Sequence, residues 1–334
     1  MTSYERLMAR LSGKPVDRVP NLNILMAFAA KYAGVSYSDF ILKPEKKAYA
    51  NIKCHEDFKI DVVTVMSDPY TEAEGFGCEI EYPEDDHPHC VRHILNDYDD
   101  IKKLKVHDPS KERRMSATVE LIELYRKQLG ASVSVVGWVE GPVAEFADIY
   151  DINNAMMDLI AEPEWAEEVM DICVEQAIAF AKAQIKAGAQ IIGMGDAAAS
   201  IIGRELYAKM ILPREKKIVD AIHEAGALCK LHICGNIEPL LEDIKTLKAD
   251  IVDIDWMVDF VHANKALSGA SSVNGNLDPV RAVMDSTPEQ IIRDVRKLVA
   301  DTDATTLISG GCEIPKNTAP ENLYAFYEAL AAIQ

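Results

Sequence analysis

His232-Ile233-Cys234-Gly235-Asn236 places an imidazole and a thiol two residues apart. On a β-strand, positions i and i+2 share one face, so the two groups project side by side. Gly235 permits a tight turn directly behind them. A further thiol, Cys312, stands in Ser309-Gly310-Gly311-Cys312-Glu313-Ile314-Pro315, also a setting of glycines and a proline. One imidazole with two thiolates is a soft donor set that suits Zn²⁺. Three protein ligands leave a fourth position for substrate, water or a displaceable carboxylate, as in a catalytic rather than a structural zinc site.

Three acids are placed to serve such a centre. Glu140 stands in Trp138-Val139-Glu140-Gly141-Pro142, Asp196 in Gly193-Met194-Gly195-Asp196, and Asp255 in Val252-Asp253-Ile254-Asp255-Trp256. Each is a candidate fourth ligand or proton carrier, with a helix N-cap or loop carboxylate as the alternative. The glycines flanking Met194 fit close backbone approach to a ligand. Asn276 and Asp278 are candidate substrate contacts, although Asp278-Pro279 also makes an ordinary turn or helix start. Trp138, Tyr70, Trp256 and Met194 are candidate walls of an apolar pocket, with core packing the default for any one of them. Seven cysteines at irregular spacing suggest thiols and ligands rather than disulfides. Cys54, Cys78, Cys90, Cys173 and Cys229 lack a comparable setting, and Cys173 and Cys229 are expected in the core. Cys90, among His87, His89 and His93, offers an alternative metal cluster; a solvated His-rich loop is the reading adopted there.

These residues need a scaffold that gathers distant segments. Eight short apolar runs are expected as strands: Pro20–Met26, Ile60–Met66, Ser132–Val139, Gln190–Met194, Ala227–Ile233, Asp250–Ile254, Ala270–Asn274 and Thr305–Ser309. Helical patterns lie between most of them, among them Pro163–Lys186, Arg204–Glu224, Pro288–Ala300 and Pro320–Ile333. Strands alternating with helices predict an α/β chain folded as a (β/α)₈ TIM barrel, with an open doubly wound sheet as the alternative. The candidate residues fall just past the C-terminal ends of these strands, where a barrel opens on one mouth. Residues 68–110, rich in acids, His, Pro and Gly, break the alternation and are expected as an inserted excursion, a hairpin covering one end. One barrel domain is expected over 1–334.

Composition narrows the function. Thirty-five basic against 54 acidic residues give a net charge of −19. Such a field repels phosphate backbones and anionic bilayers, so neither nucleic acid nor membrane is an expected partner. No apolar run reaches the roughly 20 residues that cross a bilayer, and Met1–Arg18 is polar and charged. A cytoplasmic location is expected.

Lys14-Pro15-Val16-Asp17-Arg18-Val19-Pro20, the His232–Asn236 block, Asn276-Leu277-Asp278-Pro279 and the glycine-flanked Cys312 followed by Ile314-Pro315 resemble the uroporphyrinogen decarboxylase superfamily. Within it they resemble the branch of zinc-dependent, corrinoid-linked methyltransferases, which includes methylcobamide:coenzyme M and aryl-ether demethylase methyltransferases. The resemblance implies zinc on His232, Cys234 and Cys312, acting as a Lewis acid on a thiol acceptor or on the oxygen of a methyl ether. It implies methyl exchange with the cobalt of a corrinoid on a separate partner protein, since this chain has no Asp-x-His-x-x-Gly signature. It favours Asp255 over Asp196 as the assisting acid. The decarboxylase itself is a poorer match, because Asn21–Ala30 carries no arginine to grip a polycarboxylate. Two alternatives are a metal-free lyase using Asp196 and Asp255, and a binding barrel whose zinc only orders the mouth.

Overall fold

Runs of β-branched and aliphatic residues too short for helices form the staves of the fold. The structure is a computed structural model describing residues 1–332. In chain order the strands are β1 (Val62–Thr64), β2 (Glu79–Glu81), β3 (His89–Arg92), β4 (Ser134–Glu140), β5 (Ile191–Gly195), β6 (Leu228–His232), β7 (Ile251–Ile254), β8 (Ser272–Leu277) and β9 (Leu307–Gly310). Seven of them form one parallel sheet in the order β1-β4-β5-β6-β7-β8-β9. Helices run between its strands, as parallel crossovers require.

The first expected strand is the exception. Pro20–Met26 contributes a single bridge, Asn21 to Ile308 in β9, and its end enters the helix Met26–Ala33. Pro20 has no N–H to donate, and side chains take over the ladder's bonds. Asn23 Oδ1 accepts from the Gly310 N–H at 2.8 Å. On the other side the Asp61 N–H donates to the Asn21 carbonyl at 2.8 Å. This segment therefore stands between β9 and β1 and closes the barrel.

One further difference has a local cause. Arg204–Glu224 is not one regular helix: a wide π turn, Tyr207–Ile211, separates Arg204–Leu206 from Leu212–Glu224. Pro213, which lacks an N–H, lies just beyond that turn. The last helix spans Pro320–Ala331; its expected end at Ile333 lies outside the described residues. The excursion contains the helix Thr71–Phe76 and the antiparallel hairpin β2–β3. Among the described residues no helix is long and apolar enough to cross a membrane.

Side chains alternate across each strand, and the inward ones form layers. Val136, Ile191, Ile251 and Leu307 pack with Leu7 and Leu22 as an apolar floor. Two residues further along β6 and β7 the inward positions are Lys230 and Asp253, and on β4 the position is Trp138.

Candidate metal centre

His232 ends β6, and the chain turns at Gly235, whose φ is 89°. Cys234 lies in that turn, and Cys312 follows β9, two staves beyond β7. The fold brings all three to one point. His232 Nε2 is 3.1 Å from Cys234 Sγ, the two sulfurs are 3.7 Å apart, and Cys312 Sγ is 3.9 Å from His232 Nε2. A tetrahedral zinc with Zn–S bonds of about 2.3 Å would hold two thiolates about 3.8 Å apart. Donor types and spacing therefore fit zinc. His232 is buried, and both thiols keep partial access to solvent.

A carboxylate stands behind the imidazole. Asp253 Oδ2 lies 2.9 Å from His232 Nδ1 and also pairs with Lys230. Asn274 Nδ2 donates to Asp253 Oδ1 at 2.8 Å. Burial opposes the charge on Asp253, yet Lys230 and His232 hold its carboxyl down to about 2. Burial likewise opposes an imidazolium, but Asp253 and the Cys312 sulfur outweigh it and hold His232 up to about 9. The Cys234 thiol donates to the Cys312 sulfur, which brings Cys312 down to about 4 and pushes Cys234 up.

Asp253, Lys230 and Asn274 escaped the sequence analysis. Their signal was charged or amide side chains in otherwise apolar, buried parallel strands. Lys230 sits two residues before His232, and Asp253 two before Asp255, so each shares the inward face of its neighbour.

The nominated acids have other partners. Asp255 Oδ2 accepts from the Gly235 N–H at 2.8 Å and Oδ1 from the Met257 N–H at 3.3 Å. It braces the turn that carries Cys234, and among the described residues it does not join the three-donor group. Asp196 Oδ1 accepts from the Val143 and Ala144 N–H groups at 3.1 and 2.7 Å, capping the helix Pro142–Tyr150. That is the N-terminal carboxylate role, and burial raises Asp196 to about 7. Glu140 is buried and accepts from Trp138 Nε1 at 2.8 Å. Burial first, then Asp148 and Glu72, push its carboxyl far up.

The pocket-wall candidates divide. Trp138 faces inward, its ring 6.1 Å from that of His232. A Cβ at Gly193 or Gly195 would fall 2.2 or 2.7 Å from the indole. The paired glycines thus make room for Trp138, not for a ligand. Met194, between them, must face the other way; it is fully buried in the layer under the helices, a correction to its expected place in the pocket. Tyr70 is half-buried, with its phenol near Asp148 and Cys90. Asn276 Nδ2 donates to the carbonyls of Asp255 and Val258 at 3.3 and 2.8 Å, tying down the loop after β7. Asp278 caps the turn at Pro279–Met284, and Trp256 is exposed.

A family model described as uroporphyrinogen decarboxylase (URO-D) matches residues 2–333. The methylcobamide:CoM methyltransferase MtbA of Methanosarcina acetivorans is 31% identical, the match covering 98% of each chain. A uroporphyrinogen decarboxylase of Geobacter sulfurreducens is 25% identical, over 95% of each chain. A solved methyltransferase from Methanosarcina mazei superposes with a TM-score of 0.90 at 23% identity, covering 98% of each chain, a likeness of fold.

Proposed function

The chain belongs to the uroporphyrinogen decarboxylase family of enzymes, and on that premise we propose that it is a zinc-dependent methyltransferase moving a methyl group between a small thiol or methyl ether and the cobalt of a corrinoid held by a separate protein. The observation that carries this reading is the convergence of His232, Cys234 and Cys312 at the barrel mouth. The relatives named methylcobamide:CoM methyltransferases, similar over nearly the whole chain, support it.

His232, Cys234 and Cys312 would hold the zinc. Bound zinc supplies Lewis acidity, which favours the anionic form of a thiol or alcohol-type group. The chain's own residues do the positioning. Asp253 accepts the hydrogen bond of the His232 Nδ1–H, fixing the tautomer that leaves the Nε2 lone pair for an ion. Lys230 neutralises Asp253, so the buried pair adds no net charge beneath the ligands. Asp255 fixes the Cys234 turn. Glu313 Oε1 accepts from the Ala27 N–H at 2.8 Å and anchors the Cys312 loop to the closing segment. Trp138 walls the barrel side of His232 and keeps water from that face. Burial among other acids raises the Glu140 carboxyl and favours its protonated form, the form that could give a proton to a leaving oxygen.

The metal-free decarboxylase reading is weaker. It leaves a preassembled soft donor set idle, and Asn21 and Asn23 in the closing segment are spent on barrel bonds. Following the Co(I) and methyl–cobalt spectra of a corrinoid with a panel of thiols and methyl ethers tests the proposal. Transfer should require zinc and vanish in Cys312→Ser, and Cys234→Ser and Cys312→Ser should each lose about one equivalent of zinc. Activity that survives complete chelation would instead favour the lyase.

A further inference from the structure

A second set of soft donors comes together in the excursion, sharing no residue with the first. Cys78 immediately precedes β2, Cys90 lies within β3, and His93 follows it. The strands pair antiparallel with Ile80 opposite Cys90 and an irregularity at Glu79. This pairing brings both sulfurs and a His93 ring nitrogen within 4.8 Å of one another. Both cysteines are free thiols. The sequence-based expectation set Cys78 apart and left Cys90 in a solvated His-rich loop. The structure separates those histidines: His87 packs edge-on against Tyr37 and His89 faces Glu81, leaving His93 with the two thiols.

The surroundings favour a cation. Asp148 Oδ2 and both carboxylate oxygens of Glu145 are sealed from solvent with no hydrogen-bond partner. The Asp148 carbonyl accepts from His93 Nδ1 at 3.1 Å, and Cys78 Sγ lies 3.9 Å from the same oxygen. A ligating histidine commonly donates one ring N–H to a backbone carbonyl and offers the other nitrogen to the metal.

We propose that Cys78, Cys90 and His93 bind a second, structural thiophilic divalent cation, of which Zn²⁺ is the natural choice, and that this ion clips the β2–β3 hairpin to the end of the helix Pro142–Tyr150. A two-stranded hairpin is marginal by itself, and most of the side chains of this one are exposed. Its far end matters. The Glu84 carbonyl accepts from the Ser38 N–H, and the Asp85 carbonyl accepts from Lys316 Nζ, each at 3.0 Å. Lys316 lies four residues past Cys312. A clip at the hairpin's base therefore steadies its tip beside the barrel mouth.

Metal analysis of full-length protein purified with zinc tests this independently of any activity. About two equivalents are expected, falling to about one in Cys90→Ser, in His93→Gln and in Cys234→Ser, and to none in Cys90→Ser combined with Cys234→Ser. His93 is partly exposed, so His93→Gln serves if the cysteine variant does not fold. Cobalt(II) loaded into a Cys234→Ser/Cys312→Ser background should still give thiolate-to-cobalt absorption, lost on adding His93→Gln. Three results would overturn the proposal: one zinc in the parent that Cys234→Ser abolishes, full zinc retention in both Cys90→Ser and His93→Gln, or a thiol count showing Cys78 and Cys90 joined as a disulfide.

Discussion

The Asp253 carboxylate bridges two cations-in-waiting: its Oδ2 contacts both His232 Nδ1, at 2.9 Å, and the Lys230 ammonium. With a divalent ion on the proposed centre, two thiolates and a neutral imidazole would balance its charge as Lys230 balances Asp253. The inner barrel would then stack two neutral tiers where isolated charges would be costly.

Asp253→Asn keeps the shape and an acceptor but removes the charge that orients His232. Zinc affinity at the first centre should fall about 10- to 100-fold, measured by chelator competition. Unchanged affinity would show that the contact does not tune the ligand.

Gly195→Ala forces a methyl group against the Trp138 indole, 2.7 Å away. The expected cost is about 1–3 kcal/mol, together with a shift in tryptophan emission. Trp138→Ala in the same background should relieve part of that strain. A neutral Gly195→Ala would mean that the ring moves aside freely.

Asp61→Ala should be the most damaging change far from the mouth. Asp61 is fully buried, with Arg6 at 2.7 Å and Arg18 at 2.6 Å, and it accepts the Asn21 N–H at 2.7 Å. Removing it leaves the buried Arg18 guanidinium without a carboxylate and Arg6 with Asp17 alone, at a cost of about 3–5 kcal/mol. Denaturant unfolding measures this directly.

Glu72→Gln should change how stability depends on pH. Burial raises the Glu72 carboxyl to about 8, against about 4.3 in an unfolded chain. Between those values the folded state binds the extra proton, so its contribution is complete at low pH and lost as pH rises towards 8. The glutamine variant should show a shallower decline over that window and a melting temperature at pH 8 above the parent's. A parallel decline in both proteins would refute the assignment.

The parts legible in the sequence were those with local periodicity. His232 and Cys234 share a face because strands alternate, and the same rule placed seven of the eight expected staves. The rule also carried an overlooked message: a residue between Gly193 and Gly195 must face away from them, so Met194 had no place in the pocket. Asp253 and Asp255 are the same residue type and share one face; only register distinguishes them, because β6 pairs His232 with Asp253. The closing segment was hidden for another reason. Asn21 and Asn23 replace backbone ladder bonds with amide bonds, which no hydrophobic pattern encodes. The meeting of Cys78 with Cys90 and His93 depends on a bulged hairpin whose registration composition does not reveal.

The joint beside Cys312 bears on more than topology. Around the cylinder the donors span an arc from β6 to the far edge of β9, and that edge meets its neighbour through one strand bridge at Asn21 and the bonds of Asn23 to Gly310 and Ile314 to Ile24 rather than a regular ladder. An ion gripped across this arc works as a hoop tightened next to the loosest seam. Loading the centre and keeping the cylinder shut would then become one event, and amide exchange at residues 21–24 should slow when the hoop is in place.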